Sequence, residues 1–115
     1  LAFDAEVRRL HKDYAEFEAG FIRRLMRLYG TKARAILADA RSPEDLGTHF
    51  GADLYEREVD HLIANEWARS ATDILWRRTK LGLRVTPAEA QRLEEYVAQR
   101  LTLSPGVIQA EAGTQ

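Results

Sequence analysis

The N-terminal part of the chain carries apolar residues at steps of three and four positions. They are Phe3, Val7, Leu10, Tyr14, Phe17, Phe21, Leu25 and Leu28, with Ile22 and Met26 beside them. This period lays the apolar side chains on one wide helical face, which is typical of a helix packed into a core. Because Ala19-Gly20 weakens the middle of the pattern, it predicts two helices, over residues 4–13 and 16–29. Gly30 then ends the second helix, since glycine takes the left-handed conformation that other residues resist.

Two short helices are predicted next. Thr31 caps one over residues 32–39, and its inward-facing residues are expected to be Ala35, Ile36 and Leu37. The other starts at Ser42-Pro43-Glu44-Asp45, because serine accepts hydrogen bonds from the first amides, proline suits the first turn and the acids complement the helix dipole. Gly47 and Gly51 confine it to one turn and predict a loop with backbone angles that glycine permits.

Two further helices are predicted after these glycines. Val59, Leu62 and Ile63 form the apolar face of a helix over residues 54–66. Ser70-Ala71-Thr72-Asp73 has the form of a capping box, in which Asp73 is placed to reach back to the Ser70 amide. It predicts a helix over residues 71–80 that ends near Gly82.

Thr86-Pro87-Ala88-Glu89 is a stronger helix start, because it combines a cap, a proline in the first turn and a glutamate at the third helical position. It opens a last helix over residues 87–102. The expected inward residues are Leu93, Val97 and Leu101, and the expected stop is Ser104-Pro105-Gly106. No segment shows a convincing two-residue alternation, and there is no internal repeat. The predicted fold is therefore all-α, a compact bundle of five to six short helices.

Length and composition limit the functions open to the chain. Its 115 residues predict a single domain, and the absence of cysteine excludes disulfides, thiolate metal sites and a cysteine nucleophile. The 17 basic and 18 acidic residues give a net charge of −1, which argues against nucleic acid as a partner. No apolar run approaches the roughly 20 residues that span a bilayer. The chain starts at Leu1 rather than at a methionine, so we expect a piece of a longer protein, with a flexible tail over residues 104–115.

One local pattern suggests metal chemistry. Glu58-Val59-Asp60-His61 has the Glu-x-x-His spacing of di-iron bundles, but neither His11 nor His49 has a glutamate three residues earlier to supply the second half of such a site. An exposed Glu and His on a polar helix face are therefore expected. The chain has no Gly-x-Gly-x-x-Gly, no phosphate loop and no activated Ser/His/Asp set, so we expect no metal, no bound cofactor and no catalytic residue in it.

The segment from Glu66 to Lys80 holds both tryptophans and ends in Trp76-Arg77-Arg78-Thr79-Lys80. Cations at the end of a helix complement its dipole, and Asp73 precedes Arg77 by four positions, the order that favours an ion pair. Tryptophan combines a large apolar surface with an N–H that needs a partner, so it favours core edges and interfaces. A docking surface is expected here rather than a DNA-recognition helix, which normally accompanies a more basic face.

Several segments together resemble one protein family. They are Ser42-Pro43-Glu44-Asp45-Leu46-Gly47, Phe50-Gly51, Leu54-Tyr55-Glu56, Glu66-Trp67 and Asp73-Ile74-Leu75-Trp76-Arg77-Arg78-Thr79-Lys80, supported by Tyr14, Tyr29-Gly30 and the closing helix. The chain resembles the C-terminal helical domain of bacterial aerobic, FAD-dependent glycerol-3-phosphate dehydrogenase. The resemblance covers nearly the whole chain, and its specific part is the segment from Asp73 to Lys80.

The resemblance implies that residues 1–115 are an accessory, or cap, domain. The parent enzyme would oxidise sn-glycerol 3-phosphate to dihydroxyacetone phosphate and pass electrons through FAD to a membrane quinone. Such enzymes are typically dimers that lie peripherally on the cytoplasmic membrane. The FAD and substrate domain would precede this chain and be its main partner, and the isolated chain is expected to be inactive and free of flavin.

The candidate interdomain or structural contacts that match the family are Glu66, Trp67, Asp73, Trp76, Arg77, Arg78 and Thr79. We expect Asp73 to orient Arg77. Arg78 and Thr79 are expected to reach across to the flavin domain or a second subunit, since a planar guanidinium pairs with carboxylates and carbonyls. Arg77 would then be the more purely structural arginine. The alternatives are a stand-alone helical interaction module and, less favoured, a DNA-binding domain.

Overall fold

The structure, a computed structural model, describes residues 2–103, and most of them are helical. The α-helices are α1 (Ala2–Asp13), α2 (Ala19–Tyr29), α3 (Ala33–Leu37), α4 (Glu56–Glu66) and α5 (Pro87–Leu103). Short 3₁₀-helices cover Gly30–Lys32, Pro43–Leu46 and Gly82–Arg84, and a π-helix covers Asp73–Arg78. An antiparallel hairpin pairs β1 (His49–Gly51) with β2 (Leu54–Tyr55). The predicted all-α bundle is confirmed, with the hairpin as a minor addition.

One hydrophobic core joins the helices. Its fully buried side chains include Leu10, Ile22, Leu25, Leu37, Leu62, Ile74, Leu93 and Val97. The inward positions predicted for α5 are confirmed at Leu93 and Val97, while Leu101 is half-buried. In α3 the prediction for Ala35 is wrong, because Ala33, Ile36 and Leu37 form the buried face at steps of three and four.

The second helix starts three positions later than predicted. Residues between α1 and α2 form a turn in which Phe17 is buried and its carbonyl lies 2.7 Å from His11 Nε2. Tyr14, from the same turn, donates its hydroxyl to the Ala38 carbonyl at 2.6 Å. These contacts across elements hold the chain out of helical geometry until Ala19. Gly30 ends α2 with a positive φ of 58°, as predicted, but its ψ of −130° lies outside the left-handed helical region.

The glycine loop is confirmed, but it contains the hairpin that the sequence did not reveal. Gly47 and Gly51 have φ values of 86° and 124°. A Cβ on Gly47 would lie 2.7 Å from the Cβ of Glu56, so the loop passes close to the start of α4. Glu56 also binds Thr48 through backbone and side chain, at 2.8 and 3.0 Å. Strands of three and two residues are too short to show alternation, and they displace the start of α4 from residue 54 to Glu56.

The caps predicted at Ser42 and Thr86 are confirmed, but the cap predicted at Thr31 is wrong, because Thr31 lies within a 3₁₀ turn and α3 begins only at Ala33, after Lys32. Ser42 and Asp45 form a reciprocal capping box, and the hydrogen bonds from the Arg41 and Ser42 amides lower the pKa of Asp45. Thr86 and Glu89 form a second box, with bonds of 3.0 and 2.8 Å. The expected stop at residues 104–106 and the tail to residue 115 lie outside the described residues.

Candidate functional site

Trp67 ends α4 in an unusual backbone conformation. Its φ of 63° and ψ of 26° lie in the left-handed region, which non-glycine residues seldom adopt. The amides of Trp67 and Ala68 both donate to the Leu62 carbonyl, which closes the helix end. The conformation leaves the indole 73% exposed, with the Arg69 guanidinium carbon 5.5 Å from the ring centroid. A strained residue that presents a tryptophan to solvent suggests a functional contact.

The next segment winds into a π-helix rather than the α-helix that was predicted. Ser70 Oγ accepts the Asp73 amide at 3.0 Å, as the capping prediction required. The Asp73 carboxylate, however, accepts the Arg69 amide at 3.2 Å rather than the Ser70 amide. At the other end, the Thr79 amide donates to the carbonyl of Ile74, five residues earlier. Short π-helical turns of this kind occur often at functional sites.

Trp76 projects from the π-helix and rests on the chain that follows it. A Cβ added to Gly82 would lie 2.2 Å from Cε2 of the indole, so the ring packs directly on the Gly82 backbone. One indole face is thereby held while 48% of the residue stays exposed. Leu83, next along the chain, is 89% exposed. Trp76 and Leu83 are therefore two exposed apolar residues, since the Trp76 ring lies on Gly82, the residue next to Leu83.

The predicted ion pair of Asp73 and Arg77 is present, and Arg78, which was expected to reach across to a partner, has contacts within the domain. Arg78 donates from Nη2 to the Glu66 carbonyl at 2.7 Å, and its Nη1 lies 3.6 Å from the Glu66 carboxylate. It therefore ties the π-helix to the end of α4. Arg77 is 79% exposed and lies 3.6 Å from Asp73, an ion pair that solvent weakens. Arg77 is thus the arginine available to a partner, and Arg78 has the structural contacts.

Thr79 does not reach outward as expected. It is 2% exposed, and its hydroxyl donates to the Ile74 carbonyl at 2.8 Å and accepts the Leu81 amide at 3.3 Å. The hydroxyl satisfies the backbone where the π-helix ends, so it cannot contact another domain. Of the predicted site residues, Trp67, Trp76 and Arg77 are exposed, Glu66, Asp73 and Arg78 are partly exposed and form contacts within the domain, and Thr79 is buried.

A buried ionic network, which the sequence did not reveal, joins α2 to α4. Arg24 is 4% exposed and donates from its two terminal nitrogens to both carboxylate oxygens of Glu58, at 2.7 Å each. It also binds Asp53 through the carboxylate and the carbonyl, both at 3.0 Å. Tyr29 donates its hydroxyl to Glu58 at 2.6 Å. Every charge in the network is therefore hydrogen-bonded, as buried charges require.

The network stabilises the charged guanidinium and the neutral phenol. Burial by itself lowers the pKa of Arg24, but the hydrogen bonds to Glu58 and the charges of Glu58 and Asp53 raise it overall. Burial raises the pKa of Tyr29, and the negative charge of Glu58 raises it further. Both groups accordingly keep one protonation state across the physiological range.

The expectation of an exposed Glu58 and His61 is wrong. Glu58 is 2% exposed, and the His61 side chain is 10% exposed and meets Tyr29 edge to face, with ring centroids 5.2 Å apart. The sequence concealed this because Arg24 lies 34 positions before Glu58, beyond any local pattern. Within residues 2–103, no cluster of three or more His, Cys, Asp or Glu side chains could hold a metal ion.

One cleft of the described residues is lined by charges of both signs. A cleft of about 620 Å³ lies between the turn after α1 and the end of α3. Its charged lining residues are Lys12, Arg34, Arg41, Asp13, Glu16 and Asp39. Arg34 and Asp13 pair there at 2.7 Å, so the lining has mixed charge rather than the positive charge that attracts a phosphate. No helix in residues 2–103 is long and apolar enough to cross a membrane.

The described residues thus define a class of protein, a small helical domain. The charged groups of its buried network bind one another, and its tryptophans are exposed on the surface. This organisation is typical of an accessory or interaction domain. Comparison with known proteins identifies the family. The family described as the C-terminal domain of alpha-glycerophosphate oxidase matches residues 3–109, and the chain belongs to that family. The resemblance noted in the sequence is confirmed.

Three relatives show the range of proteins that contain similar sequences. The glycerol-3-phosphate dehydrogenase of Pseudomonas aeruginosa is 43% identical over 94 residues, which cover 82% of this chain and 18% of the relative. The aerobic glycerol-3-phosphate dehydrogenase of Escherichia coli K12 is 38% identical over 100 residues, covering 84% and 20%. The D-erythritol 1-phosphate dehydrogenase of Brucella abortus is 49% identical over 70 residues, covering 61% and 14%. The chain therefore spans about a fifth or less of these relatives.

Proposed function

We propose that this chain is the C-terminal accessory domain of an FAD-dependent dehydrogenase that oxidises sn-glycerol 3-phosphate to dihydroxyacetone phosphate. The family match over residues 3–109 carries the proposal. Two relatives named glycerol-3-phosphate dehydrogenase support it, at 43% and 38% identity. In the proposal, the whole enzyme is a dimer that lies peripherally on the cytoplasmic membrane and passes its electrons to quinone.

The described residues do not fit a dinucleotide. Dinucleotide folds use βαβ units with a glycine-rich turn at a helix start. The sheet in residues 2–103 pairs a strand of three residues with one of two, and neither is followed by such a turn. We therefore assign FAD, the substrate and the reacting groups to the rest of the polypeptide, which corresponds to about four fifths of the relatives' length.

The role assigned to this domain is to dock on the flavin domain, or on a dimer, and to stabilise it. Similar sequences occur in proteins named for glycerol 3-phosphate and for D-erythritol 1-phosphate, at 43% and 49% identity. That distribution supports a role that does not depend on which polyol phosphate is oxidised. The candidate contacts remain the exposed Trp67, Trp76 and Arg77, while Glu66, Asp73, Arg78 and Thr79 form contacts within the domain.

The test compares the 115-residue chain with the full-length polypeptide from the same gene. We expect the full-length protein to contain flavin, seen in its absorbance, and to reduce a quinone analogue when given sn-glycerol 3-phosphate. The chain alone should do neither, even when FAD is added. D-Erythritol 1-phosphate serves as the alternative substrate. Oxidation of glycerol 3-phosphate by the chain alone, or a full-length protein without flavin and without this activity, would overturn the proposal.

A further inference from the structure

We propose that the domain docks onto the remaining part of the same polypeptide through one face, which we call the Trp76 platform. The platform consists of Trp76, Gly82 and Leu83, together with the exposed cations Arg77, Lys80 and Arg84 of the same segment. Its partner is an apolar site rimmed by acidic groups on the flavin-binding part. The inference rests on the proposed function and adds the docking face and the chemistry that this face recognises.

The apolar centre of the platform is fixed in place. The indole of Trp76 lies against the Gly82 backbone, where an added Cβ would be 2.2 Å from the ring. Trp76 is nevertheless 48% exposed and Leu83 is 89% exposed. A held tryptophan loses little conformational freedom on binding, and tryptophans at the centre of interfaces often dominate their energy. A leucine exposed to this degree beside it extends the apolar contact.

The charge of this segment is mainly positive. Residues 74–88 contain the four cations Arg77, Arg78, Lys80 and Arg84, between the flanking acids Asp73 and Glu89, and Asp73 lies 3.6 Å from Arg77. Arg78 is bound to Glu66, which leaves Arg77, Lys80 and Arg84 exposed. The bias is local, since the chain as a whole has a net charge of −1. A surface with an apolar centre and a cationic rim is complementary to one with an acidic rim.

The remaining polypeptide fits this face better than a second copy of the domain does. In a two-fold interface each platform would meet itself, which would bring six cations together around the two tryptophans and repel them. The relatives are about five times longer than this domain, so a large surface of the same chain is expected to adjoin it. Attachment through one chain also raises the effective concentration of that surface.

The experiment is hydroxyl-radical footprinting of the full-length protein, with the same protein unfolded in urea as reference. We expect Trp76 and Leu83 to be modified several-fold more slowly in the folded protein than in the reference. Leu83 modified at nearly its unfolded rate would overturn the proposal. Protection that disappears on dilution would show that a second copy occupies the platform. Protection that requires phosphatidylglycerol vesicles would show that an anionic lipid surface does. Either result also overturns it.

Two variants of the full-length protein provide a second measurement. Leu83→Ser and the triple change Arg77→Glu, Lys80→Glu and Arg84→Glu alter exposed side chains outside the core. Both should restore modification of Trp76 and speed release of the domain by limited proteolysis several-fold. A matched control reverses three exposed cations on other helices, Arg8, Arg27 and Arg92, and should leave both readouts unchanged. If the triple change and its control alter Trp76 modification and proteolytic release equally, the proposal that the domain docks through the Trp76 platform is contradicted. Flavin content and glycerol 3-phosphate oxidation of the unaltered protein test the proposed function separately.

Discussion

The buried pair of Arg24 and Glu58 allows a quantitative prediction for stability. Replacing Glu58 with Leu removes three hydrogen bonds of 2.6 to 2.7 Å from a carboxylate that is 2% exposed. Removing one partner of a buried pair costs about 3–5 kcal/mol, because it leaves an uncompensated charge. Arg24 keeps Asp53 at 3.0 Å, so we expect Glu58→Leu to cost about 3 kcal/mol, at the low end of that range.

The converse change should cost more. Arg24→Met leaves Glu58 buried with only the Tyr29 hydroxyl as a donor, so its cost should approach 5 kcal/mol, the upper end of about 3–5 kcal/mol for a broken buried pair. Domains of this size are stable by about 5–15 kcal/mol, so either loss is a large fraction of the total. The double variant Arg24→Met/Glu58→Leu removes both charges and should be more stable than either single variant, since apolar replacements often match a buried pair.

The assay is urea unfolding of the chain at neutral pH, followed by far-ultraviolet circular dichroism. With a slope of about 1–3 kcal/mol per M, a loss of 3 kcal/mol lowers the midpoint by about 1 to 3 M. The control is the exposed pair of Arg23 and Asp4, whose side chains are 53% and 46% exposed, and Arg23→Ala should cost less than about 1 kcal/mol. Two results would refute the reasoning. One is a loss in unfolding free energy for Glu58→Leu or Arg24→Met as small as that for Arg23→Ala. The other is a loss for the double variant as large as the sum of the two single losses.

Three smaller predictions concern the surface segment and the network. Gly82→Ala should displace the Trp76 indole from its seat and shift tryptophan fluorescence to longer wavelength, because the added Cβ would lie 2.2 Å from the ring. Thr79→Val should cost about 1–3 kcal/mol in urea unfolding, because it leaves the buried Leu81 amide without its acceptor. The pKa of Tyr29 in the folded chain is raised above its ordinary 10.0, so unfolding above about pH 10 releases the proton of Tyr29. The free energy of unfolding should therefore fall as the pH rises above about 10. Tyr29→Phe should make this dependence on pH less steep.

Each of these has a contrary outcome. Unchanged fluorescence in Gly82→Ala would show that the indole does not rest on Gly82. Thr79→Val loses the hydroxyl and keeps the methyl group, whereas the control Thr79→Ser keeps the hydroxyl. A loss in Thr79→Val no larger than the loss in Thr79→Ser would contradict the assigned role of the hydroxyl. For Tyr29→Phe, a slope equal to that of the unaltered chain above about pH 10 would exclude Tyr29 as a titrating group in the folding equilibrium.

Local signals in the sequence predicted the helices and most of their caps. Thr86 and Glu89 bind each other across three positions, and the apolar period of α1 and α2 describes faces that are buried. Such features depend on residues within about four positions, because that is the reach of one helical turn. The resemblance to the family also came from a local run, Asp73 to Lys80, and it is confirmed.

The tertiary structure decided the features that join distant parts of the chain. Arg24 meets Glu58 across 34 positions, so an apparently polar helix face is in fact buried. The contact with Ile74 buries Thr79, the contact with Glu66 ties Arg78 to the end of α4, and Arg77 stays exposed. A charged residue is buried only when a partner from another element satisfies it, and no local period identifies that partner. The sequence alone therefore determined the helical class and the family, while the packed fold decided which charges are buried and which tryptophans face solvent.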